Sequence, residues 1–156
     1  MVTQSMLPAD VAAPSRNPRR EPVSGDAELL DKARALVPIL QARAAEINRL
    51  RRIPADMIEI IRAAGLFQLL RPRSSGGPEV PVDTVLDIAM ELARGDGSVA
   101  WVWTVMTTHD FLVAHFPAKA RAEFWTDTTL SAASFTPAGK VTPANGGVPL
   151  SGRWSF

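Results

Sequence analysis

Cysteine is absent from the 156-residue chain, which excludes disulfides, thiolate catalysis and zinc sites built on cysteine. Histidine is scarce: only His109 and His115 are present, so we expect no metal centre. An excess of one charge is also missing, because 17 basic and 16 acidic residues leave a formal net charge of +1. The sequence therefore does not predict binding to nucleic acid or to an anionic membrane surface.

Long hydrophobic runs are missing as well. The longest uncharged apolar stretch, residues 97–108, is much shorter than the roughly 20 residues that a membrane-spanning helix needs. The N-terminus has no continuous apolar region of the kind found in secretory signals. Hydrophobic residues nevertheless make up 46% of the chain, enough for one domain with a core. These features predict a soluble, cytoplasmic protein without a membrane segment.

The first 25 residues contain prolines without apolar periodicity, at positions 8, 14, 18 and 22. A segment of this composition cannot bury enough apolar surface to offset the entropy of ordering its backbone. We therefore expect residues 1–25 to form a disordered tail and order to begin near Asp26.

Residues 26–126 show the three- and four-residue apolar spacing of helices. The first helix runs from Asp26 through Pro38, which should kink it, and its inward face is Leu29, Ala33, Leu36, Leu40, Ala44 and Ile47. The second should start at Pro54 and end at Gly65, with Met57, Ile58, Ile61 and Ala64 inward. The third should span residues 81–93, with an inward face of Val82, Val85, Leu86, Ala89 and Leu92.

A fourth helix should be capped by Asp96 or Ser98, whose side chains can accept from free backbone N–H groups. It is apolar almost all round from Val99 to Met106, which predicts a helix buried on all sides. A short amphipathic helix over residues 117–125 should close the helical domain.

After Asp127 the composition changes to β-branched and small residues, and Asn145-Gly146 is typical of a two-residue hairpin turn in which both positions have positive φ. We interpret residues 127–156 as the start of a β-barrel-like middle domain. Three strands without further partners do not make a stable sheet. The sequence therefore favours a chain that is the front part of a longer protein or that is completed by a partner.

Four segments in this order resemble the N-terminal part of the acyl-CoA dehydrogenase superfamily, and in particular its flavin-dependent monooxygenase branch. They are "RRIPADMIEIIRAAGLFQLLRPRSSGG", "ELARGDGSVAWVW", "SFTPAGK" and "GGVPLSGRWSF". The dehydrogenase branch has a Thr-Glu and a Gly-Ser-Asp on its first β-domain strands, whereas residues 134–143 here read "SFTPAGKVTP". The resemblance thus favours the oxygenase components of two-component aromatic hydroxylases.

The resemblance implies a mainly α chain: an N-terminal helical domain followed by the first strands of a β-domain, with the family's C-terminal helical bundle absent. It also implies a reduced flavin (FMN or FAD), O₂, an aromatic or polycyclic substrate, a separate flavin reductase and a homotetramer when the protein is full length. The 156-residue chain alone is expected to be inactive, because much of the flavin pocket lies in the missing parts.

The resemblance also assigns candidate site residues. Trp101 and His109 are eight residues apart on the fourth helix and should project from nearly the same face; the first would lie beside the flavin and the second would face the substrate. The residues alone favour a core tryptophan and a helix-end histidine, and only the resemblance supports the roles in a flavin and substrate site. The remaining candidates for flavin binding are Ser131, Ser134, Thr136 and Trp154.

For these four residues a structural role is an alternative. The serines and the threonine could be small residues in a tightly paired strand, although period-two alternation places Ser134 and Thr136 on one side of it. Trp154 could be a sheet aromatic that faces the helical domain. Two further functions stay open for the whole chain: an acyl-CoA dehydrogenase, and a non-catalytic module that binds a partner through its apolar fourth helix and open β-edge.

Overall fold

The computed structural model describes residues 24–126 and 128–154. The expected tail falls almost entirely on residues 1–23, outside the described part. The described residues are mainly helical, as predicted, and form helices α1 (Ser24–Leu50), α2 (Ala55–Ala63), α3 (Val82–Gly95), α4 (Gly97–Val113) and α5 (Ala118–Phe124), a 3₁₀ turn (Arg73–Ser75), and strands β1 (Lys140–Val141) and β2 (Leu150–Ser151). None of the described helices is long and apolar enough to cross a membrane.

Helices α1, α3 and α4 pack side by side, with α3 in the middle. Helix α1 continues through Pro38 and buries the predicted face, with Ala33, Leu36, Leu40 and Ile47 in the core. Helix α2 adds Met57 and Ile61 to that core. Its end follows the prediction, because the N–H of Gly65 donates to Arg62 O at 2.8 Å.

The predicted inward face of α3 was partly wrong. Val82 and Leu86 are more than half exposed, whereas the buried side chains of this helix are Thr84, Val85, Ile88 and Leu92. The helix carries apolar residues on two faces: Val82, Leu86 and Met90 recur every four residues and form an exposed stripe. Spacing alone could not decide which of the two faces packs against α1 and α4.

Helix α4 is not buried on all sides within the described part of the chain. Asp96, one of the two predicted caps, caps the helix: its carboxylate accepts a hydrogen bond from the Val99 N–H at 2.9 Å. One face is buried, but Trp101 on another face is 67% exposed. The apolar composition therefore does not translate into burial on every side here.

The β-region forms a single small hairpin. Lys140 pairs with Ser151 and Val141 with Leu150, antiparallel, and the backbones of Ala144 and Gly147 exchange two hydrogen bonds around the predicted Asn145-Gly146 turn. Only the second turn position has positive φ among these described residues, with Gly146 at 85°. This corresponds to a type II turn rather than the predicted turn with two positive φ angles.

Gly95, at the end of α3, sets how closely α1 can approach. A Cβ at this position would lie 2.6 Å from Leu40 Cβ and 3.1 Å from Val37 O. These distances are too short for normal contacts, and Leu40 is fully buried, so it has no free space into which to move.

We expect Gly95→Ala to lower the free energy of unfolding by about 1–3 kcal/mol, because the added methyl overpacks the α1–α3 contact. Gly97→Ala is the matched control, since a Cβ there would meet nothing within 4 Å and alanine favours helix. Urea unfolding followed by circular dichroism compares the two variants. Equal stabilities would contradict the steric account.

Candidate functional site

The register of α4 is fixed by a hydrogen bond in the core. The indole Nε1 of Trp103, which is 1% exposed, donates to Leu66 O at 2.7 Å. This bond joins α4 to the turn that follows α2. Two turns further along α4, the neighbouring side chains His109 and Asp110 are both buried. The bond therefore fixes the helix that carries the candidate histidine.

Residues 128–136, here called the linking segment, run from α5 toward the hairpin and contain no paired strand among the described residues. Gln68 holds the start of this segment: its Nε2 donates to Thr126 O at 2.8 Å and to Thr129 O at 3.3 Å. Gln68 itself has φ 57°, a left-handed conformation that is uncommon for a residue with a side chain. The turn after α2 thus reaches across to the linking segment.

Ser131 provides the second attachment. Its hydroxyl donates to Met106 O on α4 at 2.8 Å, and the residue is buried. Because the hydroxyl proton is used in this bond, Ser131 could serve a flavin only as a hydrogen-bond acceptor. Its observed role is to attach the linking segment to α4.

Four residues further on, Phe135 contacts His109. The two ring centroids are 6.4 Å apart and the rings meet edge to face at 67°. His109 is 8% exposed, and its Nδ1 is buried without a hydrogen-bond partner among the described residues. Phe135 is 80% exposed. A polar ring atom without a partner therefore lies beside an aromatic side chain that is open to solvent.

Asp110 lies next to His109 and faces a different set of groups. Its Oδ1 accepts from the Trp125 indole at 3.3 Å. Burial raises the pKa of this carboxyl, and the Trp125 hydrogen bond and the charges of Arg71 and His109 only partly oppose that effect. Arg71 in turn stacks its guanidinium over the Trp125 ring, 5.4 Å from the centroid.

The structure separates the predicted pair Trp101 and His109, and the prediction of a shared face was wrong. Eight residues at about 100° each leave an offset of about 80°. Trp101 accordingly projects to solvent whereas His109 points into the protein. A role for Trp101 beside a flavin stays a prediction.

The predicted strand around residues 131–136 is not formed in the described chain, because no described strand pairs with it. Ser134 and Thr136 are exposed, and the Ser134 hydroxyl accepts a long local bond from the Thr136 N–H at 3.4 Å. Trp154 is 39% exposed and lies over the hairpin, since a Cβ at Gly139 would be 2.8 Å from its ring. The packing of Trp154 on the hairpin thus favours neither predicted role.

The described residues fit a reduced flavin in part. A flavin ring needs flat walls and polar groups along one edge, and the exposed residues Trp101, Phe135, Ser134 and Thr136 supply groups of both kinds. His109 Nδ1 adds a polar atom that has no partner. That these residues together hold a flavin stays a prediction.

Sequence reasoning missed Gln68, Asp110 and Phe135 as site residues. Asp110 had a detectable signal, because a carboxylate between two apolar stretches of a helix is unusual unless it has a partner. Phe135 had a weak signal, because period-two alternation puts it on the opposite side of the predicted strand from Ser134 and Thr136. Gln68 had no local signal, since its partners are about 60 residues away in the chain.

We expect Asp110→Asn to change stability in a pH-dependent way. An acid whose pKa is raised on folding binds its proton more tightly in the native state, so its contribution to stability is lost as pH rises from about 3.9, the unfolded value, through the folded pKa. Asparagine does not titrate and can still accept from Trp125. The stability of the variant relative to the parent should therefore increase between about pH 3 and pH 7.

Urea unfolding at several pH values measures this difference, with Asp87→Asn on α3 as the control for removing one negative charge. A stability difference for Asp110→Asn that stays constant over this pH range would contradict a raised pKa.

No family model matches the chain. It is 29% identical over 130 residues to the oxygenase component of an FADH₂-dependent resorcinol hydroxylase from Rhizobium sp. (strain MTP-10005), covering 82% of this chain and 32% of that protein. It is 29% identical over 137 residues to the oxygenase component of p-hydroxyphenylacetate 3-hydroxylase from Acinetobacter baumannii, and this match covers 86% of this chain and 32% of that protein.

Among solved structures, the 3-HSA hydroxylase from Rhodococcus sp. RHA1 superposes with a TM-score of 0.75 at 29% identity, covering 80% of this chain and 33% of that one. The chain thus spans about a third of the length of these relatives. The resemblance and the fold inferred from the sequence motifs are confirmed: this chain is homologous to the N-terminal region of the oxygenase components of two-component flavin-dependent monooxygenases.

Proposed function

We propose that this chain is part of an oxygenase component that hydroxylates an aromatic substrate with reduced flavin and O₂. The observation that carries the proposal is the buried, unpartnered Nδ1 of His109 beside the ring of Phe135. A polar atom next to an aromatic wall complements a ring that bears a hydroxyl group. Resorcinol and p-hydroxyphenylacetate, named for two of the relatives, are both phenols.

In this proposal His109 orients the substrate. A neutral imidazole accepts a hydrogen bond from a phenol hydroxyl at its unprotonated ring nitrogen and donates one from the other ring nitrogen, and the tautomer decides which nitrogen does which. Since His109 is almost fully buried, a hydrogen bond to it would form in a site with little competing water. Phe135 would pack against the substrate ring edge to face or offset.

A reduced flavin, when bound, would supply the two electrons that activate O₂, of which one oxygen atom goes to the ring and the other leaves as water. The chain's own contribution would be to hold the flavin through the exposed hydroxyls of Ser134 and Thr136 and the apolar surfaces of Trp101 and Trp154, with Ser131 as a further candidate that can only accept a hydrogen bond. The flavin in this proposal is FMN or FAD, and a separate reductase delivers it in reduced form. A homotetramer of the longer protein belongs to the same proposal.

The test uses the product of the whole gene that encodes this chain, with reduced flavin supplied by a reductase and a phenol as substrate. We expect His109→Ala to lower the yield of hydroxylated product roughly 5- to 100-fold, the equivalent of the about 1–3 kcal/mol that a buried polar group of the substrate costs when it has no partner. Flavin affinity should stay within about twofold. O₂ uptake should continue, with hydrogen peroxide released in place of product.

His115→Ala is the matched control, because the second histidine of the chain is exposed, and it contacts Phe111 through an Nδ1 to O distance of 2.8 Å and an edge-to-face ring contact. Product yield in that variant should be unchanged. Unchanged coupling of O₂ uptake to product in His109→Ala would rule out the substrate-orienting role. Formation of the same amount of hydroxylated product by the parent protein without flavin would rule out the proposed reaction.

A further inference from the structure

Trp125, whose indole donates to Asp110, also lines a separate cavity of about 400 Å³. Two arginines, Arg71 and Arg121, and two serines, Ser74 and Ser75, line the same cavity. None of these four residues is among the candidates for the flavin site. A cavity of this size falls within the range of small-molecule sites, about 300–1,000 Å³.

Arg71 is oriented by neutral groups. Its Nε donates to Ser75 O at 2.7 Å and its Nη1 to the Gln68 side-chain oxygen at 3.1 Å, while its guanidinium rests on the Trp125 ring. Within residues 24–126 and 128–154 it forms no salt bridge with a carboxylate. The side chain is therefore held in one place while its positive charge stays uncompensated by direct contact.

The side chain of Arg121 has fewer hydrogen-bond partners than that of Arg71. Its Nη1 donates to Ala114 O over a long 3.4 Å, and its Nε is buried without any hydrogen-bond partner among the described residues. A buried donor on a charged group that lacks a partner is costly, more so than a neutral one. An acceptor that entered the cavity would remove this cost.

Other arginines of the described chain form ion pairs with carboxylates. Arg34 and Arg94 share Glu91, and Arg43 pairs with Glu46 and Asp56. The two arginines of the cavity differ from these because neither forms an ion pair with a carboxylate within the described residues, although both line the same concave surface. Among the described residues, Asp110 acts on Arg71 through its charge but forms no direct ion pair with it.

We propose that this cavity binds a small oxyanion, a phosphate or carboxylate group carried by a small molecule. Guanidinium groups offer paired N–H donors in a plane that matches the oxygen spacing of either group. The hydroxyls of Ser74 and Ser75 add donors without charge. The proposal rests on Arg71, Arg121 and their surroundings, and it does not depend on the flavin reaction.

The test titrates the isotope-labelled chain with inorganic phosphate and, separately, with acetate, at constant pH and at an ionic strength held constant with sodium chloride. The Nε–H signals of Arg71 and Arg121 and the indole signal of Trp125 report on the cavity by NMR. We expect saturable shifts with phosphate or acetate and a dissociation constant in the millimolar range, about 0.1–10 mM. Saturation with phosphate alone identifies a phosphate site, and saturation with acetate alone identifies a carboxylate site.

Arg121→Gln should weaken binding at least about tenfold, and Arg121→Lys should weaken it less because it keeps the charge but loses the planar pair of donors. Arg51→Gln, a substitution of an exposed arginine that does not line this cavity, should leave the affinity unchanged. If Arg121→Gln does not fold, the affinities of the parent and of Arg121→Lys for the anion are compared instead. Shifts that do not saturate up to about 50 mM of either anion, or equal affinities in the parent and the Arg121 variants, would overturn the proposal.

Discussion

The candidate site depends on holding a segment without strand partners against helix α4. The peptide groups of an extended segment need hydrogen-bond partners, and in a sheet they find them in the neighbouring strand. The linking segment has no such neighbour in the described chain, and hydrogen bonds that involve side chains attach it to the helical domain instead. Gln68 donates to Thr129 O in this segment and to Thr126 O just before it, and the Ser131 hydroxyl attaches the segment to Met106 O.

These attachments work only because the groups that make them are themselves fixed. The Trp103–Leu66 hydrogen bond in the core joins α4 to the turn that carries Gln68. The oxygen of the Gln68 amide accepts from Arg71, so its NH₂ group faces the linking segment. Core packing thus determines where Phe135 lies, and Phe135 forms the wall beside His109. Substrate recognition in the proposed function would follow from this chain of contacts.

The helices were predictable from the sequence because their signals are local. Proline and glycine mark the limits of α2, Asp96 caps α4, and Asn145-Gly146 forms the hairpin turn. The predictions that were wrong concern which helix surfaces are buried. The two apolar faces of α3 have the same spacing, and the apolar surface of α4 around Trp101 has no cover in the described chain. A strand around Ser131 could not be judged from its own residues, because a strand forms only with a partner.

The most direct test of this account is the effect of Gln68→Ala on the contact between His109 and Phe135. Gln41→Ala is the matched control, since Gln41 also donates its side-chain amide to a backbone carbonyl, Arg94 O at 3.0 Å, but between α1 and the end of α3. The measurement is the nuclear Overhauser effect between the two rings, together with amide exchange of residues 128–136. The account predicts that Gln68→Ala weakens the ring contact and speeds exchange in this segment only, while Gln41→Ala changes neither. An unchanged ring contact and unchanged exchange in Gln68→Ala would contradict it.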